Sequence, residues 1–418
     1  MELNEAKKLA VGLASPGEVE SVRLEEALGR VLAETLSAHR DLPGEGRSRL
    51  DGFALRSSDT AGASPQSPIS LKTLPGILAA GHASDRSVGS GECIRILTGA
   101  PLPRYADAVA PQEETVAHGE QLFLEHGLKP GKGVTPRGED IRQGELLLSK
   151  GQILTPTRLA LVAALGYARV PVARRPRVAL LATGDEVKEV GESAEGPWTY
   201  CNNRHLLAWL VQLQGGIPVH LGVAADDPEA IIRRMEAIDA DLVITTGGMG
   251  RGDKDFVLEA WKALGIRTLF REIDLSPGRN SALGIRGAQI FWGLSGNPWG
   301  AQVVFQELVA PVLWRCQGAT GVRLPCVPAL LEASVKKKNG LYKAVRGILK
   351  GESTELCFAP AEGRGGESIF TALKDRSVYI ILESHVVEVP AGSRVQVHLS
   401  DFPLVAFPVF GTASPCAG

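Results

Sequence analysis

Hydrophobic and polar positions recur along this chain in two rhythms, and the change from one to the other marks its parts. Near the start, Leu3, Ala6, Leu9, Ala10 and Leu13 fall at helical spacing until Ser15-Pro16-Gly17 interrupts them. Leu24, Ala27, Leu28, Val31 and Leu32 repeat that spacing and predict a second helix over 21–33. Around Pro43 the rhythm shortens. Glycine, serine and arginine then punctuate short runs that predict strands at 69–74, 92–97, 108–111 and 121–125, a β-rich domain inserted into the first. Longer-period structure returns near Gly133, with a helix over 156–165 and an extended segment over 168–173.

From Arg175 the two rhythms alternate. Strands are predicted at 178–182, 219–223, 242–244, around Leu269 and at 288–292. Helices are predicted at 202–214, 228–238, from Asp253 through Trp261, and at 299–314. Such alternation over some 140 residues argues a three-layer α/β domain. Ligands bind such sheets beyond the carboxyl ends of the strands. That rule gathers Gly184-Asp185-Glu186, Asp226-Asp227, the Gly247 loop and Ser295-Gly296-Asn297-Pro298 on one rim. After about Gly321 short strands with glycine and proline turns predict a separate β domain. The expected fold is multidomain α/β and β. A helical domain is split over 1–42 and 136–174, the inserted β-rich domain covers 43–135, the α/β domain 175–318 and the last β domain 319–418.

Candidate chemistry is densest in Asp241-Leu-Val-Ile-Thr-Thr-Gly-Gly-Met-Gly-Arg-Gly-Asp-Lys-Asp255. The β-branched run ends at Thr245 and Thr246, and Gly247, Gly248, Gly250 and Gly252 follow within six residues. Closely spaced glycines free the backbone and let a ligand approach main-chain N–H groups. Asp253 and Asp255 then sit where a helix dipole favours negative charge. A phosphate with its Mg²⁺ suits this arrangement, and so does a plain strand-to-helix turn with aspartate caps. The spacing is neither that of a P-loop nor the dinucleotide fingerprint. Asn297 and Pro298 have the order of an N-cap and a first helical residue. Glu186 and Asp255, from different strand ends, could together hold Mg²⁺.

Composition removes several classes. With 418 residues, 44% hydrophobic and 22% charged, the chain reads as an ordinary globular protein of several domains. A formal net charge of −2 without a long basic block argues against nucleic-acid binding. No apolar run approaches the length of a membrane span. The acidic start at Met1–Glu5 is unlike a secretory leader, and six scattered cysteines form neither a zinc motif nor a disulfide framework. Reducing cytoplasm is the expected compartment.

Read together, the motifs resemble the MoeA family, the molybdopterin molybdenumtransferases, which include the E domain of gephyrin. Matching blocks are Ser48-Arg-Leu-Asp-Gly-Phe-Ala54, Arg95-Ile-Leu-Thr-Gly-Ala-Pro101, Ala106-Asp-Ala-Val109 with Gln112-Glu113, and Arg137-Gly-Glu-Asp-Ile141. They continue with Ala182-Thr-Gly-Asp-Glu186, Asp226-Asp-Pro228, Thr246-Gly-Gly248 with Asp255, and Gly293-Leu-Ser-Gly-Asn-Pro298. Each is weak alone; eight in family order are specific. The resemblance implies a lasso-like character for the inserted β domain, a molybdopterin-binding role for the α/β domain, and a homodimer. It further implies molybdate insertion into adenylylated molybdopterin with release of AMP, and a molybdopterin adenylyltransferase-type partner.

Carried over residue by residue, Asp51, Thr98, Asp227 and Arg137 match catalytic positions. Gly247, Gly248, Ser295, Gly296 and Asn297 would cradle the nucleotide-pterin, with Arg279, Arg346 and Ser368 as further contacts, and Glu186 and Asp255 would position Mg²⁺. Several positions depart from the family pattern. Leu50 replaces a methionine, and Ser276-Pro-Gly-Arg-Asn280 stands for Lys-Pro-Gly-Lys-Pro. Gly300 and Glu367 replace serines, and Cys201-Asn-Asn203 replaces Asp-x-Asn. An arginine does not simply replace a lysine, and a glutamate repels an oxyanion. Beside the insertase stand two other readings: a divergent relative that binds or hydrolyses the pterin nucleotide without normal insertion, and a non-catalytic dimeric scaffold.

Overall fold

A computed structural model describes residues 1–82, 85–193, 195–249, 256–351, 355–361, 378–401 and 405–406. Contacts divide the chain into two compact units. One comprises 1–34, 150–156 and 169–418; the other comprises 35–149 and 157–168.

The first unit is built on a six-stranded sheet: β1 (Arg177–Thr183), β2 (Ile217–Ala224), β3 (Leu242–Thr246), β4 (Arg267–Phe270), β5 (Ala282–Arg286) and β6 (Gln289–Leu294), in the order β2-β1-β3-β6-β5-β4. The first four in that order run parallel. β5 is antiparallel to both neighbours and reaches β6 through Gly287-Ala288. Helix α1 (Asn202–Leu213) follows β1, α2 (Pro228–Met235) follows β2, α3 (Phe256–Ala263) follows β3 and α4 (Pro298–Val304) follows β6. Successive strand residues face opposite ways. Val178, Leu180, Leu242, Ile244 and Trp292 therefore pack with Leu207 and Val211 of α1 on one face. Ala179, Leu181, Val243 and Phe291 pack with Ile231, Met235, Val257 and Trp261 on the other. Both faces are covered, which is the three-layer sandwich expected from the alternation.

One sequence expectation changes here, and the start of a second lies outside the described residues. The second N-terminal helix is absent. Val19–Arg23 instead forms a strand paired antiparallel with Arg169–Ala173, and Leu24–Glu26 makes one 3₁₀ turn. Gly29 has φ of 73°, and the Leu32 N–H donates to the Gln152 carbonyl. Pairing with a distant strand outweighs a weak local period. The helix expected from Asp253 is described from Phe256 onward.

α4 runs on through a π-helical turn, Phe305–Val309, into a helix over Ala310–Cys316. The widened turn carries Glu307, which has no exposed surface. Lys7 Nζ lies 2.5 Å from Glu307 Oε2, Tyr379 Oη donates to Oε1 at 2.6 Å, and His398 Nδ1 lies 2.9 Å from Oε1. Tyr379 and His398 belong to the last β region, whose strands 342–350, 357–360, 326–331, 394–399 and 378–382 pair in a closed ring. Leu275–Ser276 of the α/β region adds to that ring beside Tyr342–Lys343.

The second unit contains another six-stranded sheet, in the order 108–111, 52–55, 92–96, 69–78, 121–124, 115–118. Gly52 opens its second strand where a β-carbon would lie 1.9 Å from the Ala110 carbonyl oxygen, so only glycine fits.

Candidate functional site

The strand order of the first sheet reverses at β1, which precedes β2 and β3 in the chain yet lies between them. The crevice beyond the carboxyl ends at such a reversal is where open α/β sheets take ligands. After β3 the chain turns at Gly247 and Gly248, with φ of 94° and 61°. A β-carbon at Gly247 would sit 2.3 Å from the Thr183 carbonyl oxygen, and one at Gly248 2.9 Å from Thr183 Oγ1. Both the backbone angles and the close approach demand glycine. The β3 loop thus lies flat against the end of β1. The Gly247 N–H donates to the Leu294 carbonyl, which joins the same loop to the end of β6.

Beyond β6, the Gly296 carbonyl accepts from Asn203 Nδ2 at 2.8 Å, in the first turn of α1. Asn297 Oδ1 accepts the N–H groups of Trp299 and Gly300 at 3.0 and 3.3 Å, with Pro298 next to it, so its side chain serves as the cap of α4. Asp227 caps α2 in the same manner, accepting from Ala230 N–H at 2.8 Å. Asp185 Oδ1 accepts the Asp226 N–H at 3.0 Å and ties the β1 loop to the β2 loop. Arg346, from the last β region, lies with its guanidinium carbon 5.9 Å from the Trp299 ring centre, at the start of α4.

Three oxygen atoms on this rim are buried without a hydrogen-bond partner among the described residues: Thr183 Oγ1, Asn203 Oδ1 and Ser295 Oγ. An unpaired buried polar atom costs roughly 1–3 kcal/mol. Neither Thr183 nor Asn203 was singled out as functional from sequence. The signal for Thr183 was its place as the last residue of a buried strand before Gly184-Asp185-Glu186.

Glu186 is exposed, and its carboxylate folds back over Gly184, where a β-carbon would sit 2.9 Å from Oε2. Mg²⁺ favours one or two carboxylates completed by water and phosphate oxygens. A free carboxylate beside a glycine cradle fits that habit. Among the described residues no group of three or more His, Cys, Asp or Glu side chains forms a fuller cage. Asp255, Ser368 and Glu367 lie outside the described residues.

The altered loop Ser276–Asn280 borders the start of α4. A β-carbon at Gly300 would lie 2.9 Å from Ser295 Oγ and 3.2 Å from the Gly278 nitrogen. Arg279 Nε donates to Glu272 Oε2 at 3.1 Å, so its charge is partly committed. Ser276 stands in register with Lys343.

The second unit holds the remaining predicted residues. Asp51 and Thr98 meet: the backbone N–H and the Oγ1 of Thr98 both donate to Asp51 Oδ1 at 2.7 Å. Those two bonds, the backbone one first, hold the Asp51 carboxyl below its ordinary value, with help from Arg95. Arg137 instead pairs with Asp41 at 2.5 Å, and Asp41 also accepts the Gln143 N–H at 2.7 Å.

Fold and rim define a protein with a three-layer α/β region, a glycine-rich rim at a strand-order reversal, and a second, β-rich unit. The comparisons narrow this class. Residues 1–166 match the MoeA N-terminal region (domain I and II), and residues 179–315 match a probable molybdopterin binding domain. A molybdopterin molybdenumtransferase of Bacillus subtilis (strain 168) is 33% identical over 406 residues, 95% of this chain and 93% of the relative. One of Staphylococcus aureus (strain Mu50) is 31% identical over 91% of both chains. The solved molybdopterin biosynthesis MoeA protein of Pyrococcus horikoshii superposes with a TM-score of 0.86 at 29% identity, covering 96% of this chain and 98% of its own. The chain belongs to the MoeA family of molybdopterin molybdenumtransferases.

Proposed function

We propose that this chain inserts molybdenum into adenylylated molybdopterin with release of AMP, a transferase step of molybdenum cofactor biosynthesis. The observation that carries the reading is the convergence of the Gly247–Gly248 loop, the Ser295-Gly296-Asn297 turn and Glu186 at the reversal of the sheet. The glycine loop brings backbone close to whatever lies in the crevice, and Glu186 offers a hard oxygen to Mg²⁺. The ion would neutralise charge developing on the phosphates when bound. Arg346 supplies a cation at the start of α4. The family resemblance supports a homodimer working in the cytoplasm and supplied by a molybdopterin adenylyltransferase-type partner. No helix among the described residues is long and apolar enough to cross a membrane.

A second reading draws on the loop around Ser276. There the lysine is replaced, Arg279 is shared with Glu272, and Gly300 brings no hydroxyl. A relative that binds the pterin nucleotide without normal molybdate insertion would look like this.

AMP release from adenylylated molybdopterin separates the two. With Mg²⁺ present, molybdate is expected to accelerate release. Release indifferent to molybdate and to tungstate supports the second reading, and an absence of both binding and release overturns both.

A further inference from the structure

Two neighbouring lysines of the last β region bond only to backbone carbonyls among the described residues, and one of them stands beside the altered loop. Lys343 Nζ donates to the Lys336 carbonyl at 3.1 Å. The residue after that carbonyl, Lys337, donates through Nζ to the Ser384 carbonyl at 2.9 Å. Lysines close by are balanced differently: Lys336 lies 3.3 Å from Glu388, and Lys350, farther along the Lys343 strand, lies 2.9 Å from Glu332. Lys337 and Lys343 are both partly buried. Burial, and then the nearby Lys343 charge, hold the Lys337 ammonium below its ordinary value. Leu275 and Tyr342 are paired across their two strands and both enter the core. Ser276 and Lys343, the next pair, therefore face the other way together. Ser276 is exposed, and neighbouring strands are about 4.8 Å apart, a gap that a lysine stem spans.

Charge decides what this arrangement can hold. An ammonium has three donors, and Lys343 spends one of them on a carbonyl. A carbonyl satisfies a donor but leaves the charge unbalanced. Two such cations side by side, partly out of water, repel each other, and an anion touching both removes that cost. An anion with two charges and several acceptor oxygens matches two ammonium groups and a serine hydroxyl better than a single carboxylate does. The place also bears on the altered loop. Residue 276 is a serine where the family pattern has lysine, and Arg279, three residues on, is shared with Glu272. The strand pair nevertheless keeps a cation, carried by the opposite strand. We propose that Lys343 and Lys337, with the Ser276 hydroxyl, receive a tetrahedral dianion, and that in this chain they take molybdate in place of a lysine at 276. This rests on the insertion reading above and names the residues that receive the oxyanion.

Lys343→Met tests it, because methionine keeps most of the stem and drops the charge. The probe is sodium molybdate titrated into the full chain at fixed ionic strength, with sodium phosphate as a second arm, followed by calorimetry and by the rise in melting temperature. Wild-type protein is expected to bind molybdate, and Lys343→Met and Lys337→Met to bind it roughly three- to tenfold more weakly. Ser276→Lys added to Lys343→Met returns the charge across the strand pair and is expected to restore binding. Lys350→Met, on the same strand but paired with Glu332, is expected to bind as wild type. Unchanged molybdate affinity in Lys343→Met overturns the inference. Equal weakening in Lys350→Met also overturns it, because the effect would then be one of net charge. A double variant that binds no better than Lys343→Met overturns the exchange of residue 276 for Lys343, and phosphate bound more tightly than molybdate overturns the assignment to molybdate. The insertion reading fails in a different way: molybdate binds and the variants weaken it, yet molybdate leaves AMP release by the wild-type protein unchanged.

Discussion

At Glu307 a fully buried carboxylate is surrounded by Lys7, Tyr379 and His398. At the sheet rim Thr183, Asn203 and Ser295 keep oxygens that no described group satisfies. Both places are polar and both are enclosed, yet one is complete without a ligand and the other is not. The difference separates a network whose members satisfy one another from polar atoms whose hydrogen-bonding capacity is left over. Completed buried networks make structure rigid, whereas incomplete ones cost stability until something binds.

The contrast can be broken most sharply at Lys7. Lys7→Met leaves the Glu307 charge buried with one cation fewer, and a loss of about 3–5 kcal/mol is expected in urea unfolding. A loss below 1 kcal/mol would mean that Tyr379 and His398 suffice. The same carboxyl makes the fold acid-sensitive. Burial pushes it up, but the charges and hydrogen bonds of Lys7 and His398 outweigh that and hold it well below its ordinary 4.5. A carboxyl depressed in the folded state stabilises it fully above the unfolded value and progressively less as pH falls. The urea midpoint should therefore decline as pH drops below about 4.5, with a shallower decline in Lys7→Met.

Gly247→Ala probes the rim by force. With φ of 94° and a carbonyl 2.3 Å from the new carbon, a cost of about 1–3 kcal/mol is expected together with loss of pterin-nucleotide binding. Retained binding would mean that the loop is not part of the crevice. Asn297→Ala removes a cap and should cost about 1 kcal/mol. If its AMP release falls much further than that stability loss explains, the turn also touches the ligand. Smallest in stability is Glu186→Gln, expected within about 0.5 kcal/mol because the side chain is exposed. Its Mg²⁺-dependent AMP release should nonetheless fall steeply, and unchanged turnover would remove Glu186 from the metal site.

Much of the rim was legible from sequence because its parts are local. A strand, a glycine or aspartate and a helix start follow one another within a dozen residues at Asp227, Gly247 and Gly296, and the strand-end rule adds Gly184 to them. Asp51 and Thr98 were matched as separate motifs; their contact comes from neighbouring strands, with Gly52 opposite Ile96. What escaped is what depends on distance. The Glu307 network joins residues 300, 91 and 72 positions apart, and no periodicity announces such a meeting. The second helix was overread for a related reason. Its apolar spacing was real, but Val19–Arg23 found a partner near residue 170, and that pairing decided the structure. In sequence Thr183 merely closes a strand, and what sets it apart, a buried hydroxyl without a partner among the described residues, depends on the packing around it.

The bond between Lys7 and Glu307 also has a consequence in time. During synthesis Lys7 leaves the ribosome 300 residues ahead of its carboxylate, an interval of about 15–60 s at ordinary elongation rates. Throughout it, Leu3, Ala6 and Ala10 lack the long helix over 298–316 with which they share a core. The nascent chain thus carries this apolar helix face without its partner helix until residues 298–316 have been made, and such a face is one a chaperone would be expected to bind.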